Sequence, residues 1–209
     1  MKKCLLLLSI VLLSFLNVAQ TDFAPRGSFK VELGLPNNST NNAFRELMQG
    51  LVVVTPSYQH TLDNTLSFGA GLRYSYFNVN QFKNNAGISG GMHTTGAFGK
   101  IGREKFYGNF GVDYGVRIGY TMNFSTTNAI QDSLGGPYIS DGGFVEPTLG
   151  LSLMASEKSS FRLALSYAFH AFVFKPEHIG LDEFSGLNPD NLDVLTTYFT
   201  IGFGYSYYF

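Results

Sequence analysis

The sequence contains few charged residues, no tryptophan and a single cysteine. Charged residues make up 14% of the 209 residues, and the formal net charge is −1. With no basic or acidic block, the composition gives no electrostatic basis for binding nucleic acid, and we expect no such partner. The cysteine is Cys4. If the N-terminal segment is removed, the mature chain has no disulfide and no thiol chemistry.

Long apolar runs are also missing, so the sequence predicts no transmembrane helix, which needs about 18 or more such residues. The N-terminus instead has a basic start, an apolar run over Leu5–Leu16 and a small residue at Ala19. This pattern predicts a secretory signal peptide over residues 1–19, cleaved after Ala19 or Gln20. Residues 20–27 are then a short periplasmic leader, and the protein is exported.

What the sequence does have is many glycine, phenylalanine and tyrosine residues, in segments that alternate almost without fault. The clearest stretch is FYGNFGVDYGVRIGYTMNF, Phe106–Phe124, in which large apolar residues alternate with small or polar ones. This is the period of a β-strand whose two faces meet different surroundings. We therefore expect Phe106, Val112 and Ile118 on the large apolar face.

Eight segments have strand character, and short and long polar connections alternate between them. The predicted strands are Ser28–Leu35, Gly50–Leu62, Thr65–Val79, Met92–Gly102, Lys105–Phe124, Phe144–Ala155, Ser160–Phe174 and Val194–Phe209. Short turns at one end and long loops at the other are typical of transmembrane barrels. The predicted fold is an all-β, eight-stranded antiparallel up-and-down transmembrane β-barrel over residues 28–209. The phase of the segments 50–62 and 92–102 is not determined by their pattern.

A soluble barrel of the lipocalin type alternates as well, with its apolar face inward. Side-chain volume separates the two possibilities, because an eight-stranded barrel is just wide enough to be filled by side chains. The opposite face of the predicted strands carries mostly small residues such as Gly111, Gly115 and Gly119. Small residues fit a narrow lumen, so we expect the large apolar face to contact lipid.

Seven charged residues of the predicted strands lie on the small-residue face. They are Lys30, Glu32, Arg73, Asp113, Arg117, Glu146 and Arg162. A Lys or Arg facing the middle of the bilayer would cost roughly 2–4 kcal/mol, whereas opposite charges inside a lumen can pair. We predict a structural charge network in a packed polar lumen, in which Glu146 pairs with Arg117, and Arg73 or Arg162 pairs with Asp113.

The chain ends in TIGFGYSYYF, with alternating aromatics up to Phe209. This ending resembles the C-terminal signal of bacterial outer-membrane barrels, and the resemblance implies that Tyr205, Tyr207 and Phe209 are read by the barrel-assembly machinery. As a whole, the mature chain looks like the small Gram-negative outer-membrane barrels typified by OmpA, OmpX and OmpW. The segments GAGLRYSYF and GVDYGVRIGY are most similar to short barrels of Bacteroidetes, including the PorT family.

Some outer-membrane barrels are enzymes, chiefly lipid A-modifying enzymes and proteases, and in this resemblance His170 or His93 is a candidate general base. His170 lies near Ser166, and His93 follows the second long loop. No nucleophile motif accompanies either residue, and we predict hydrogen-bonded structural histidines. The fourth long loop is acidic, but its spacing matches no calcium loop. We expect no catalytic residue, no cofactor and no metal.

Three function classes follow for a barrel at the outer membrane. The first is a structural or interaction protein whose long extracellular loops contact a surface protein or polysaccharide. The second is an accessory component of a secretion or transport machine, as the resemblance to PorT implies. The third is a narrow channel for very small solutes, which a filled lumen disfavours. A lipid A-modifying enzyme is the least favoured alternative.

Overall fold

The structure is a computed structural model that describes residues 25–81, 87–181 and 195–209. The predicted signal peptide, residues 1–19, lies outside the described residues. Within the described ranges, no helix is long and apolar enough to cross a membrane.

Eight antiparallel strands form a closed barrel in chain order, which confirms the predicted fold class. Each strand pairs with its neighbours in the sequence, and the first strand closes the barrel against the last. The strands are β1 (Gly27–Asn38), β2 (Met48–Thr61), β3 (Leu66–Val79), β4 (Gly91–Tyr107), β5 (Phe110–Ser125), β6 (Tyr138–Ser156), β7 (Ser159–His170) and β8 (Thr196–Tyr208).

The two ends of the barrel differ in the length of their connections. One end carries the short turns 62–65, 108–109 and 157–158, together with the beginning of β1 and the end of β8. The other end carries the connections 39–47, 80–90, 126–137 and 171–195. We call these the turn end and the loop end. The asymmetry follows the alternation of short and long connections that the sequence shows.

Alternate residues of each strand face opposite sides of the barrel wall, as the period of two requires. In β1, Leu33 and Leu35 are exposed on the outside, whereas Lys30 and Glu32 are buried inside. The exposed side chains form an apolar belt that runs around the barrel. It includes Phe29, Leu33, Leu35, Phe68, Leu72, Tyr114, Ile118, Tyr120, Val145, Leu149, Leu153, Phe161, Phe169, Ile201, Phe203 and Tyr205.

The predicted boundary between the fourth and fifth strands is wrong. The chain does not turn at residues 102–104; β4 continues to Tyr107 and the turn is Gly108-Asn109, with Tyr107 paired to Phe110. Gly108 has φ +60°, a left-handed conformation that glycine adopts without steric cost. Phe106 therefore belongs to β4 and is buried inside the barrel, so its predicted outward orientation is also wrong.

The loop-end boundaries differ from the prediction as well. β6 begins at Tyr138 instead of residue 144, and β7 ends at His170 instead of residue 174. Two short helices, α1 (Asn42–Leu47) and α2 (Asn128–Leu134), lie in connections that the sequence pattern predicts as loops. Local capping explains both helices. The side chain of Asn41 accepts a hydrogen bond from the backbone N–H of Phe44 at 3.0 Å, and Thr127 Oγ1 accepts one from the backbone N–H of Ile130 at 3.3 Å.

Candidate functional site

Among the described residues, the buried charged side chains lie inside the barrel. Nine charged side chains, five cationic and four anionic, are buried there with at most 8% of their surface exposed. They are Lys30, Glu32, Arg73, Lys100, Glu104, Asp113, Arg117, Glu146 and Arg162. We call this group the lumen charge cluster. Every strand except β2 and β8 contributes to it, so its ion pairs connect strands across the barrel.

The half of the cluster nearer the loop end is built around two glutamates. Glu146 Oε2 accepts a hydrogen bond from Arg73 Nη1 at 2.6 Å and lies 3.5 Å from Arg117 Nη1. Arg117 Nη2 donates to Glu32 Oε2 at 2.6 Å. The guanidinium of Arg73 also donates to the Tyr198 hydroxyl at 3.2 Å. Alternating charges therefore run across the lumen from Tyr198 on β8 to Glu32 on β1.

The half nearer the turn end is built around Asp113. Its carboxylate accepts hydrogen bonds from Lys100 Nζ at 2.7 Å and from Lys30 Nζ at 2.8 Å. Lys30 Nζ also donates to Glu104 Oε1 at 2.7 Å, and Gln59 Nε2 donates to Glu104 Oε2 at 2.8 Å. The amide of Gln59 additionally accepts from Lys100 at 2.8 Å, so β2 is joined to the cluster through a neutral side chain.

Arg162 joins the two halves. Its Nε donates to Glu32 Oε1 at 2.8 Å, and its Nη2 lies 2.9 Å from Asp113 Oδ2. Each buried cation thus meets a carboxylate, as burial of charge requires. The result is one connected set of ion pairs that fills the middle of the lumen.

An apolar plug closes the loop end of the barrel. Phe44 of α1 packs against Phe77 and Phe174 with ring centroids 4.9 and 5.1 Å apart. Asn41 Nδ2 donates to the Phe174 carbonyl at 2.9 Å and so connects the first and fourth loops. The plug consists of buried side chains from three loops and the adjoining strand ends. They are Ala43, Phe44, Leu47, Met48, Val53, Phe77, Val79, Ile88, Met92, Ala168, Phe172, Phe174, Ile179, Leu181 and Tyr198.

Aromatic side chains close the lumen at the turn end. Phe106 and Tyr208 meet edge to face with centroids 5.4 Å apart, and both are buried. The hydroxyls of Tyr208 and Ser160 are 3.1 Å apart. Phe106 reaches this position because β4 continues through residue 107. The interior is therefore occupied at three levels: an apolar plug, a charge cluster and an aromatic closure.

The structure places all seven sequence-predicted network residues inside the lumen, and it adds Lys100 and Glu104. Lys100 was missed because the pattern does not determine the phase of the predicted segment 92–102. Glu104 was missed because that segment ended at residue 102, which placed Glu104 in a turn. The dipeptide Gly108-Asn109 is a hairpin turn signal. Moving the turn there continues the alternation through Thr94, Lys100 and Glu104, and all three positions then face inward.

Both expected pairings are observed, but Glu146 has a second and closer partner. Arg117 does lie opposite Glu146 in the β5–β6 register, but Arg73 approaches that carboxylate more closely, at 2.6 Å against 3.5 Å. Of the two partners considered for Asp113, Arg162 contacts it, and Arg73 is paired with Glu146 instead.

The histidines occupy structural positions. His170 Nε2 lies 2.9 Å from the Tyr198 hydroxyl and its Nδ1 lies 3.4 Å from Thr121 Oγ1. The ring is stacked between Phe144 and Tyr198 at 5.3 and 5.2 Å. His93 faces outward, where its Nδ1 lies 2.9 Å from the Tyr74 hydroxyl. Both rings therefore have defined polar partners that hold them in place.

His178 lies in a 3₁₀ helix, Pro176–Ile179, of the fourth loop. It stacks on Tyr138 with centroids 4.7 Å apart, and its partial burial lowers the pKa of the imidazole below its usual value. Within the described residues, no group of three or more His, Cys, Asp or Glu side chains is arranged to hold a metal ion. Most acidic residues of this loop lie outside the described residues.

The C-terminal aromatics lie on the outer surface. Tyr205, Tyr207 and Phe209 are exposed, whereas Ser206 and Tyr208 between them are buried inside. The backbones of Phe209 and Gly27 exchange hydrogen bonds of 3.1 and 3.0 Å, which close the barrel at its turn end. The predicted role of the three outward aromatics as an assembly signal stays a prediction.

Comparison of the fold with known structures finds small outer-membrane barrels. No protein-family model matches the chain, and no curated protein is similar to it in sequence. Neisserial surface protein A superposes with a TM-score of 0.55 at 10% identity, covering 88% of this chain and 97% of that one.

Two further structures are similar over the same extent. OprG from Pseudomonas aeruginosa has a TM-score of 0.53 at 13% identity and covers 91% of this chain and 100% of its own. A major outer membrane protein from Thermus thermophilus has a TM-score of 0.51 at 12% identity, with coverage of 88% and 99%. At these identities the likeness concerns the fold alone: a closed eight-stranded antiparallel barrel of the type found in outer-membrane proteins. The narrower resemblance to Bacteroidetes barrels stays a prediction.

Proposed function

We propose that this protein is an outer-membrane β-barrel with a sealed lumen and a structural or interaction role at the cell surface. The observation that carries the proposal is the division of the wall into an apolar outside and a charged inside. Large apolar side chains such as Leu35, Leu72 and Phe203 are exposed, while Asp113, Arg162 and their partners are buried. Water-exposed proteins seldom present a continuous apolar belt of this extent, and a lipid bilayer is the solvent that suits it.

The occupied interior argues against conduction. An ion that crossed the lumen would have to displace the apolar plug around Phe44 and break ion pairs of 2.6–2.9 Å between buried groups. Breaking a buried pair costs several kcal/mol. We propose that the charge cluster fixes the strands and closes the lumen, and that it does not serve as a path for solutes.

The interaction role is assigned to the loop end. There, α1, α2 and the fourth loop are joined by defined contacts, among them the hydrogen bond from Thr127 Oγ1 to the Ile179 carbonyl at 2.8 Å. Loops that pack on a common core present a fixed surface, which binds a partner with a smaller entropic penalty than mobile loops do. We propose a non-catalytic role, which agrees with the position of His170 between Tyr198 and Thr121 inside the lumen.

The test combines fractionation with conductance. Outer membranes are separated from the periplasmic fraction, and the purified protein is examined in SDS with and without boiling and then in planar bilayers. We expect outer-membrane fractionation, a heat-dependent shift in migration, and no conductance steps, with an open porin as the positive control. Recovery in the soluble periplasmic fraction would overturn the membrane placement. Reproducible conductance steps would overturn the sealed lumen.

A further inference from the structure

The wall of the barrel has a seam between β1 and β2 near the loop end. The paired register of these strands ends at Gly34 and Val53. Beyond that point, β1 continues over residues 35–38 in register with β8, and β2 continues over residues 48–52 in register with β3. Each strand is therefore paired on one side only along this stretch.

The residues at the seam explain why the ladder ends there. Pro36 lies in β1 and has no backbone N–H to donate to a neighbouring strand. Opposite it, the register of β2 and β3 shifts between Gly50 and Val52. Gly50 lies so close to Pro36 that a Cβ atom would overlap the Pro36 carbonyl. The side-chain amide of Asn38 donates to the Met48 carbonyl at 2.7 Å and closes the seam at its top.

An open groove of about 1010 Å³ lies over this seam on the outer face of the wall. Its size is comparable to that of ligand pockets, roughly 300–1,000 Å³. Apolar side chains form its walls, and they come from β1, β2 and β8. They are Leu33, Leu35, Leu51, Val52, Phe199, Ile201 and Phe203.

The rim of the groove is polar and carries one cation. Asn37, Gln49 and Asn80 line it together with Arg45, which projects from α1. The Arg45 side chain is 52% exposed, and its Nε lies 3.6 Å from Glu46 on the same helix. Such an exposed contact contributes little and does not compete strongly with another anion. The groove is thus apolar along the wall and cationic at the loop end.

From this arrangement, we infer that the groove is a binding site for one anionic, phosphate-bearing lipid of the leaflet at the loop end. An acyl chain lies along the wall between Leu35 and Phe199, and the phosphate meets Arg45. The inference rests on the proposed membrane placement. Arg45 favours a headgroup with net negative charge, because its guanidinium binds the phosphate and repels the ammonium group of a zwitterionic headgroup. The apolar walls are continuous with the belt around the barrel.

The seam also indicates the depth at which the lipid headgroup lies in the bilayer. Backbone groups that lack a strand partner are tolerated within a membrane protein only where protein or water reaches them. The upper part of the seam therefore lies at the polar level of the bilayer, beside Asn37 and Gln49. A bound phosphate at Arg45 lies at the same level, which keeps its acyl chain beside Leu35 and the other apolar walls.

The test uses the absence of tryptophan from the chain. Leu35→Trp places a single fluorophore in the groove, and Ile118→Trp places one on β5; these side chains are 67% and 59% exposed. Each variant is reconstituted in phosphatidylcholine with either brominated phosphatidylglycerol, the probe for an anionic phosphate headgroup, or brominated phosphatidylcholine. Phe199→Trp is a second groove reporter in case Leu35→Trp does not fold.

At position 35, we expect quenching by brominated phosphatidylglycerol to be about fivefold stronger than quenching by brominated phosphatidylcholine. This is the factor that one basic residue contributes to anionic lipid binding. At position 118, the ratio of quenching by the two brominated lipids should be close to one. Arg45→Gln in the Leu35→Trp background should remove the preference, whereas Lys175→Gln, which removes a loop-end cation outside the groove, should retain it.

The outcomes separate this inference from the membrane placement. Equal preference at positions 35 and 118, or a preference unchanged by Arg45→Gln, would overturn the lipid site while leaving the barrel in the membrane. Absence of quenching by either brominated lipid at both positions would overturn the membrane placement, and the lipid site with it.

Discussion

Arg162 connects two carboxylates that lie on different strands. Its Nε is 2.8 Å from Glu32 Oε1 on β1, and its Nη2 is 2.9 Å from Asp113 Oδ2 on β5. All three side chains are at least nine-tenths buried. Arg162 itself is on β7, and no two of these three strands are adjacent in the barrel. The guanidinium therefore connects three separate parts of the wall.

Replacement of this guanidinium should destabilise the barrel strongly. Arg162→Met keeps most of the side-chain volume but removes the charge shared by Glu32 and Asp113. We expect a loss of about 3–5 kcal/mol, the range for breaking a buried ion pair, measured by urea unfolding in lipid vesicles. The matched control is Arg26→Met, which breaks a 3.5 Å pair with Asp63 whose side chains are 73% and 83% exposed. That variant should lose less than about 1 kcal/mol, and equal losses would contradict the assigned role of Arg162.

A double-mutant cycle should identify the main partner of Glu146. Glu146→Ala leaves two guanidinium groups without their shared carboxylate, and we expect it to cost about 3–5 kcal/mol. Adding Arg73→Ala should recover more of that loss than adding Arg117→Ala, because the two cations lie 2.6 and 3.5 Å from Glu146 Oε2. Coupling energies of residues in contact are about 0.5–3 kcal/mol. The pairing described here is wrong if Arg117 couples as strongly as Arg73 in urea titrations.

Cysteine labelling should distinguish the two faces of the wall. In a variant lacking Cys4, cysteines at Leu72 and Ile118 should react with a lipid-soluble maleimide, since both side chains are exposed outside. Cysteines at Ser75 and Ser206 should be protected, because these residues are completely buried. The inward glycines are unsuitable for this test; a Cβ atom at Gly115 would overlap the backbone of Ile101. Labelling at the serines with protection at Leu72 would indicate an inverted, soluble barrel.

The sequence pattern was sufficient for the fold because a period of two records which face of a strand each residue occupies. In β1 and in most of β5, large apolar and small or charged residues alternate without a break, and the structure follows them. The β4–β5 hairpin is different. Its turn, Gly108-Asn109, lies inside a stretch whose alternation continues on both sides, so periodicity alone does not locate it. The positive φ of Gly108 is the physical signal that marks the turn.

Partners across the lumen were harder to predict than the faces. Adjacent strands give a register, and Arg117 opposite Glu146 could be deduced from it. The two shortest ion pairs join strands that are not neighbours: Arg117 with Glu32 on β1, and Arg73 on β3 with Glu146 on β6. Such contacts depend on the tilt and shear of the closed barrel, which the pattern of one strand does not contain.

We expect that loss of packing in the apolar plug leaves the charge cluster below it intact. Phe44 is completely buried, and its ring packs on Phe77 and Phe174. Phe44→Ala should therefore destabilise the packed loop end by about 3–5 kcal/mol. We expect faster amide hydrogen exchange in α1 and the fourth loop. Leu134→Ala is the control, since this side chain on α2 is 62% exposed and its truncation should change stability by less than about 0.5 kcal/mol.

The same Phe44→Ala variant should still show no conductance in planar bilayers. The ion pairs of Glu146 with Arg73 and of Glu32 with Arg117 lie deeper in the lumen and do not depend on the ring of Phe44. Loss of loop protection without conductance would therefore mean that the barrel is sealed twice, once by apolar packing and once by charge. If Phe44→Ala instead produced conductance steps, the plug alone would be the seal, and the charge cluster would leave a path for ions.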